Sequence, residues 1–186
     1  MQNNSTDGHE CSRRIPHYRE AVARAATPAI AALVAAGVPH EVLSYHHDSR
    51  TDAFGDEAVA ALSAAGLEVS AEQVFKTLVI ALPSGRLAVA VLPVPYKLSL
   101  KAAAAALGAP RAEMADRAAA ERSTGYVVGG ISPLGQRRPL PTVVDDSAYA
   151  WDRVLCSAGK RGLEVALAPA DLVRLTNAVT VDVLAP

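Results

Sequence analysis

A chain of 186 residues with 51% hydrophobic and 20% charged residues is long enough for one folded domain and too apolar to be disordered. A formal net charge of −1 argues against a protein that coats nucleic acid non-specifically, although a local basic patch could still hold one RNA end. No apolar run approaches the roughly 18 residues of a membrane helix, and two distant cysteines, Cys11 and Cys156, fit reduced thiols in a cytoplasm better than a disulfide.

In chain order, a polar stretch precedes one predicted domain. Residues 1–24 carry mixed charges, which predicts a flexible leader, and residues 25–186 form a single unit without internal repeats. Helices are predicted after the capping pair Thr27-Pro28, from Gly55 to Gly66, after Ser99, after Asp116 and at residues 169–176. Strands are predicted at residues 40–45, 74–82, 87–92, 142–145, 154–156, 163–167 and 179–184. Because hairpins occur among interleaved helices and strands, the pattern favours an α/β fold with a mixed sheet.

Lys76 stands inside the apolar run of residues 74–82. Strand alternation puts it on the same face as Val74, Leu78 and Ile80, and its neighbours on both faces are apolar. A buried lysine must find a partner, reach water at a pocket or lose its charge. The pattern leaves two interpretations open, a site residue or a lysine whose ammonium extends to solvent from a strand end.

Residues 123–136, with the sequence STGYVVGGISPLGQ, form a glycine-rich segment. Adjacent glycines let backbone N–H groups approach a carbonyl oxygen or a phosphate, and a tight turn without a ligand is the alternative. Gly130 and Gly135 have the spacing of a phosphate-binding loop. However, Gln136-Arg137 stands where that motif needs Lys followed by Ser or Thr, which excludes an NTPase.

The basic residues fall in two segments. Residues 157–162, SAGKRG, predict a basic hairpin turn that could meet a phosphate backbone. Arg137-Arg138 would extend this patch if the two loops lie close together.

The remaining reactive side chains predict no metal site. His46 and His47 are neighbours that would point to opposite faces of a strand, and no third ligand stands at a familiar spacing. Cys156 lies in an apolar strand, which favours a packed, unreactive thiol.

Nine segments in the same order resemble the YbaK family of bacterial Cys-tRNA(Pro) deacylases, relatives of the editing domain inserted in bacterial prolyl-tRNA synthetases. They are TPAIAAL, YHHD, FGDEAV, QVFKTLVI, LAVAVLPV, LGAPRAEMAD, RSTGYVVGGISPLGQ, LPTVVDD and SAGKRGLEV. The resemblance implies a mixed, partly barrel-like β-sheet flanked by helices, in a cytoplasmic protein without cofactor or metal. It also implies a pocket for the 3′ end of an aminoacyl-tRNA and prolyl-tRNA synthetase as a partner, and neither DNA nor a membrane is expected.

The resemblance also assigns roles to individual residues. It places the family's essential lysine on Lys76 and its glycine pair on Gly129 and Gly130, the catalytic candidates. The substrate-binding candidates are Tyr45, His47, Phe54, Ile131, Ser132, Ser157 and Glu164, the last of which stands where the family usually has Asp. With the basic segments, the candidates for tRNA contact are Arg137, Arg138, Lys160 and Arg161.

The implied mechanism is substrate-assisted. The thiol of the misattached cysteine attacks its own ester carbonyl and leaves as a thiolactone, so the protein mainly orients the reacting groups. The N–H groups of Gly129 and Gly130 would stabilise the oxyanion, and Lys76 would hold the terminal ribose and phosphate. Two alternatives stay open: water-based deacylation of another small amino acid, such as Ala-tRNA(Pro), and a non-catalytic module that binds tRNA or a synthetase.

Overall fold

The computed structural model describes residues 27–186, so the predicted leader of residues 1–24 and Cys11 lie outside the described part of the chain. The helices are α1 (Pro28–Ala35), α2 (Phe54–Ala64), α3 (Leu100–Ala106), α4 (Arg117–Thr124) and α5 (Pro169–Thr176). The strands are β1 (His40–Ser44), β2 (Val74–Ala81), β3 (Leu87–Pro93), β4 (Glu113–Met114), β5 (Thr142–Val144), β6 (Val154–Lys160), β7 (Leu163–Leu167) and β8 (Val179–Thr180). None of the helices in residues 27–186 has the length and apolarity needed to cross a bilayer.

Three helices begin at the predicted capping residues. The side chains of Thr27, Ser99 and Asp116 each accept a hydrogen bond from the backbone N–H three residues on, at 3.2, 3.3 and 3.0 Å. Helix α2 begins one residue earlier than predicted and has no side-chain cap. Its first turn instead contains Asp56 and Glu57, whose negative charges suit the positive end of the helix dipole.

The strands form one mixed sheet in the order β1-β7-β6-β2-β3-β5-β8, with β4 paired to β2 outside this path. The antiparallel pairs are β1/β7, β6/β7, β2/β3 and β2/β4, and the parallel pairs are β2/β6, β3/β5 and β5/β8. The predicted mixed α/β fold is therefore confirmed. The path is open, because its terminal strands β1 and β8 do not pair, so the barrel-like character implied by the resemblance stops short of closure over residues 27–186.

Three strands differ from the sequence prediction. Strand β6 continues to Lys160, so the predicted basic turn of residues 157–162 is mostly strand, and only Arg161 and Gly162 separate it from β7. Strand β8 is shorter than predicted. Strand β4 has no counterpart in the prediction, because two exposed residues are too few to form a pattern.

Strands β2 and β6 separate beside Lys76. Their parallel pairing ends at Phe75 and Cys156, and β6 shifts its register after Ser157. Strand β3 pairs along one edge of β2. On the opposite edge, β6 pairs at the start of β2 and β4 pairs at Ile80 and Ala81. The sheet therefore opens next to the one lysine of β2.

Helices cover both faces of the sheet. Helices α1 and α5 pack on one face through buried residues such as Leu33 and Leu172, and α2 and α3 pack on the other through Leu62 and Ala103. Cys156 is fully buried in the first of these cores, and burial raises the pKa of its thiol. The predicted packing of this thiol is confirmed, and its raised pKa disfavours the reactive thiolate.

Candidate active site

Three candidate residues stand in one row across neighbouring strands. Beneath α2, a buried apolar row crosses β2, β6 and β7, consisting of Val74, Leu155 and Ala166. The next row on the same face, which we call the polar row, consists of Lys76, Ser157 and Glu164. Ser157 and Glu164 are directly paired across β6 and β7. The polar row therefore begins where the apolar packing under α2 ends and where the sheet opens.

The Lys76 ammonium is held by backbone carbonyls. Its Nζ donates to Val94 O at 2.9 Å and to Tyr96 O, in the loop that follows β3. Burial lowers the pKa of Lys76, and the charge of Asp56 opposes this shift. An ammonium has three N–H donors, so one remains for a ligand. These two hydrogen bonds fix the ammonium to the fold, which favours a site residue over a lysine that merely extends to solvent.

Glu164 contributes a buried carboxyl group to the polar row. Its residue is 7% exposed, burial raises its pKa to about 8, and its side chain accepts no hydrogen bond from residues 27–186. Tyr45 lies just beyond β1, and its N–H donates to Gly162 O at 3.0 Å. Burial, then the charges of Glu164 and Glu57, raise the pKa of Tyr45. The phenol therefore lies near both carboxyl groups.

Glu57 fixes the segment that contains His47. One of its carboxylate oxygens lies 2.7 Å from His47 Nδ1, and the other accepts the Asp48 N–H at 2.6 Å. These bonds lower the pKa of Glu57 against the opposing effect of burial. The buried His47 Nε2 has no hydrogen-bond partner within the described residues. No group of three or more His, Cys, Asp or Glu side chains in residues 27–186 is placed to hold a metal ion.

The two loop glycines are required by close packing. Gly129 has φ +87°, and a Cβ there would lie 2.7 Å from the Phe54 ring. A Cβ on Gly130 would lie 2.9 Å from Arg161 N. The Gly130 N–H already donates to Val127 O at 2.9 Å, whereas the Gly129 N–H has no partner within residues 27–186. Of the two predicted oxyanion donors, Gly129 is therefore the one whose N–H is available.

Arg161 binds the glycine-rich segment of residues 123–136, which we call the glycine loop, instead of extending into solvent. Its Nε and Nη2 donate to Val128 O at 2.9 and 2.6 Å, and its guanidinium lies 4.7 Å from the centre of the Phe54 ring. The N–H of the same residue, Val128, donates to the Glu121 carboxylate at 2.9 Å. The loop is thus fixed at Val128 by a cation and an anion, next to Gly129.

A family model for the aminoacyl-tRNA editing domain matches residues 56–175, which is more than half of the chain. The chain belongs to this family. A relative from Enterococcus faecalis (strain ATCC 700802 / V583), the candidate Cys-tRNA(Pro)/Cys-tRNA(Cys) deacylase EbsC, is 36% identical over 126 residues, covering 67% of this chain and 77% of that protein. The matched residues 56–175 include the polar row and the glycine loop, whereas Tyr45, His47 and Phe54 precede them.

Two solved structures share the fold of this editing domain. A hypothetical protein superposes with a TM-score of 0.74 at 26% identity, covering 86% of this chain and 100% of that one. A candidate trans-editing enzyme for prolyl-tRNA synthetase superposes with a TM-score of 0.71 at 23% identity, covering 94% of this chain and 100% of that one.

Two further predicted substrate-binding residues, Ile131 and Ser132, are buried, whereas Ser157 belongs to the polar row. Ser132 is fully buried and its hydroxyl accepts the Leu134 N–H at 3.2 Å, while Ile131 belongs to the core. Their side chains build the loop, so the role in substrate binding implied for Ile131 and Ser132 stays a prediction for their backbone groups. Ser157 is partly exposed and its hydroxyl accepts the Gly159 N–H at 3.3 Å.

The residues of the two basic segments have different surroundings. Arg137 packs against Gly125, and Arg138 lines a cleft of about 370 Å³ with Arg122 at the tip of the β2/β3 hairpin. Arg161 instead holds the glycine loop, and Lys160 is exposed at the end of β6. A joint basic patch for tRNA contact therefore stays a prediction.

Sequence reasoning missed Glu57 and Glu121. Glu57 contacts His47, ten positions earlier, and Glu121 accepts the Val128 N–H, seven positions later. Such spacings match neither strand nor helix periodicity, so no sequence pattern predicts these two contacts. The acidic first turn of α2 was the one available signal, because it predicts charges near the segment that precedes the helix.

Proposed function

We propose that this protein is a trans-acting deacylase that removes a wrongly attached amino acid from tRNA, with Cys-tRNA(Pro) as its main substrate. The observation that carries the proposal is the polar row of Lys76, Ser157 and Glu164 in a chain of the editing-domain family. The available Gly129 N–H of the glycine-rich loop supports it. The name of the E. faecalis relative supports cysteine as the amino acid. We also propose a cytoplasmic location for this protein, because its proposed substrate is a charged tRNA.

The reaction proposed is intramolecular. The cysteine sulfur forms a bond to its own carbonyl carbon, the ester C–O bond breaks, and the thiol proton ends on the released ribose oxygen. The products are tRNA and a thiolactone that water can open. Protein side chains contribute chiefly by holding the ester in the reactive geometry, which is worth several powers of ten in rate.

The polar groups of the site fit the parts of this substrate. The remaining N–H of Lys76 would bind the terminal ribose or its phosphate, and the Gly129 N–H would bind the developing oxyanion. The Glu164 carboxyl has no hydrogen-bond donor in residues 27–186, and an α-ammonium group would supply one. Substrate binding would then hold Glu164 in its charged form.

Selection of the tRNA is a further part of the proposal. A site that binds the amino acid and the common 3′ end meets the same groups in Cys-tRNA(Cys). Prolyl-tRNA synthetase is the partner we propose for that selection. Loss of the preference for Cys-tRNA(Pro) over Cys-tRNA(Cys) in the absence of the synthetase would support it.

A panel of charged tRNAs tests the function. Cys-tRNA(Pro) should be deacylated rapidly, whereas tRNA(Pro) carrying S-methylcysteine should persist, because its sulfur cannot form the thiolactone with loss of a proton. The double variant Cys11→Ser/Cys156→Ala should keep most of the activity. Rapid release of alanine with cysteine left intact would instead establish the water-based alternative, and binding without turnover on every member would establish a non-catalytic module.

A further inference from the structure

Tyr96 presents an exposed aromatic ring beside the lysine of the polar row. The residue is 41% exposed, and its carbonyl oxygen is one of the two that hold Lys76 Nζ. Covalent geometry therefore limits the ring to within roughly 10 Å of that ammonium. Aromatic residues make up only 4% of the chain, and Phe75 and Tyr126 are buried in the core. An exposed ring at this position is not explained by packing.

The backbone around Tyr96 is fixed on both sides. The Val94 N–H donates to Val74 O at 2.8 Å, the Tyr96 N–H donates to Pro93 O at 3.2 Å, and Lys97 O accepts the Ala185 N–H at 2.8 Å. The phenol hydroxyl has no hydrogen-bond partner within residues 27–186. An exposed ring on a backbone held by these hydrogen bonds is suited to stacking, because little backbone freedom is lost when a flat ligand binds.

Phe54 is less suited to this task. Its ring has the Arg161 guanidinium over one face at 4.7 Å and lies against Gly129. His47 is a further neighbour, with ring centres 5.8 Å apart. These contacts occupy the surfaces on which a base would stack.

We propose that Tyr96 is the stacking platform for the 3′-terminal base of the aminoacyl-tRNA, and that the exposed Lys97 next to it contacts a phosphate of the same strand. The inference rests on the proposed function, which puts the terminal ribose at Lys76. The base is attached to that ribose, so a ring that begins at a Lys76 ligand is within its reach. Stacking on an aromatic side chain accepts any base and is worth about 5- to 150-fold in affinity.

A cycle of two changes tests the platform. An acylated minihelix and a matching one whose 3′-terminal nucleoside lacks its base are compared on the unaltered protein and on Tyr96→Ala. With the base present, Tyr96→Ala should raise KM about 5- to 150-fold with little change in kcat, whereas without the base the two proteins should have the same KM. Tyr96→Phe should behave like the unaltered protein. Tyr149→Ala removes another exposed tyrosine, 53% exposed, and should change nothing.

The same cycle is measured on uncharged minihelices by fluorescence anisotropy, which needs no turnover. The Kd should rise with Tyr96→Ala only when the base is present. Lys97→Ala should weaken binding and lower the salt slope by about 1, and Lys101→Ala serves as the exposed lysine control. An unchanged Kd in Tyr96→Ala, or an equal loss with and without the base, would overturn the platform. Failure of the proposed function would show differently, as absence of deacylation by the unaltered protein.

Discussion

At the scale of single residues, the Lys76 ammonium is a donor with a restricted direction. Two of its three N–H groups are taken by Val94 O and Tyr96 O, so the third is aimed by the fold and not by the side chain alone. Lysine suits this geometry because its ammonium is compact. The longer, planar guanidinium of arginine would not satisfy the same two carbonyls.

Replacing Lys76 should therefore abolish deacylation. We expect Lys76→Ala to lower kcat/KM for Cys-tRNA(Pro) by about 100-fold or more, because the ester loses its orienting charge. Single-turnover assays measure the effect, with Lys101→Ala as the exposed lysine control and circular dichroism to verify the fold. Full activity of a folded Lys76→Ala protein would contradict the assigned role.

Glu164 should make stability depend on pH. Below about pH 4.5 its carboxyl is neutral in both the folded and the unfolded chain, and between there and its raised pKa of about 8 only the unfolded chain releases the proton. The unfolded state then binds fewer protons, so stability falls as pH rises through this window. We expect Glu164→Gln to remove this loss, with a gain in Tm that grows by about 5 °C from pH 5 to pH 9.

Thermal unfolding in ligand-free protein measures that difference. Glu113→Gln, at an exposed carboxyl of β4, is the matched control substitution. Parallel Tm curves for Glu164→Gln and the unaltered protein would show that Glu164 does not titrate in this range.

At the scale of elements, the glycine loop is held by its neighbours rather than by its own sequence. Glu121 of α4 binds the N–H of Val128, and Arg161 after β6 binds its carbonyl. The Gly129 N–H that the proposed reaction uses follows directly. The charges of Glu121 and Arg161 thus set the direction of an oxyanion donor, which is the kind of positioning that catalysis requires.

The substitution Arg161→Lys distinguishes two roles of Arg161, binding of the Val128 carbonyl and contact with RNA. Lysine keeps the positive charge but cannot donate two hydrogen bonds from a planar group to Val128 O, so we expect kcat to fall about 10-fold with KM nearly unchanged. A phosphate contact would instead tolerate lysine, and its loss in Arg161→Ala would raise KM in a salt-dependent way. Arg153→Lys, at an exposed pair with Glu41, is the control.

At the scale of the whole molecule, the N-terminal helix is joined to the glycine loop. Gly135 has φ +62°, and a Cβ there would lie 2.3 Å from Pro28 O. The Thr27 hydroxyl also donates to Ala158 O of β6. Helix α1 therefore closes one face of the sheet and supports the loop at the same time.

Gly135→Ala should consequently lower global stability by about 2 kcal/mol or more, because both the positive φ and the space disfavour a side chain. Gly108 has a similar φ of +66° and nothing within 4 Å, so Gly108→Ala measures the backbone penalty alone. Urea unfolding of both variants gives the comparison. Equal losses in the two would show that the contact with Pro28 adds nothing.

Local signals of the sequence were enough for the helix caps and for the placement of Lys76. Thr27, Ser99 and Asp116 cap helices because that preference is set by hydrogen bonds three residues apart. The alignment of Lys76 with Glu164 could not be predicted from alternation, since it depends on a parallel pairing between strands about 80 residues apart. Family resemblance supplied both residues, yet it did not reveal that the Gly130 N–H is already used.

The polar row also has a consequence for how the chain finds its fold. A strand that pairs one residue out of register turns every side chain to the opposite face. Such a slip in β2 would drive the ammonium of Lys76 into the apolar core beneath α1 and α5, at a large cost in desolvation. The charged group needed for chemistry thus penalises a misassembled sheet, so the active site helps to specify the architecture that holds it.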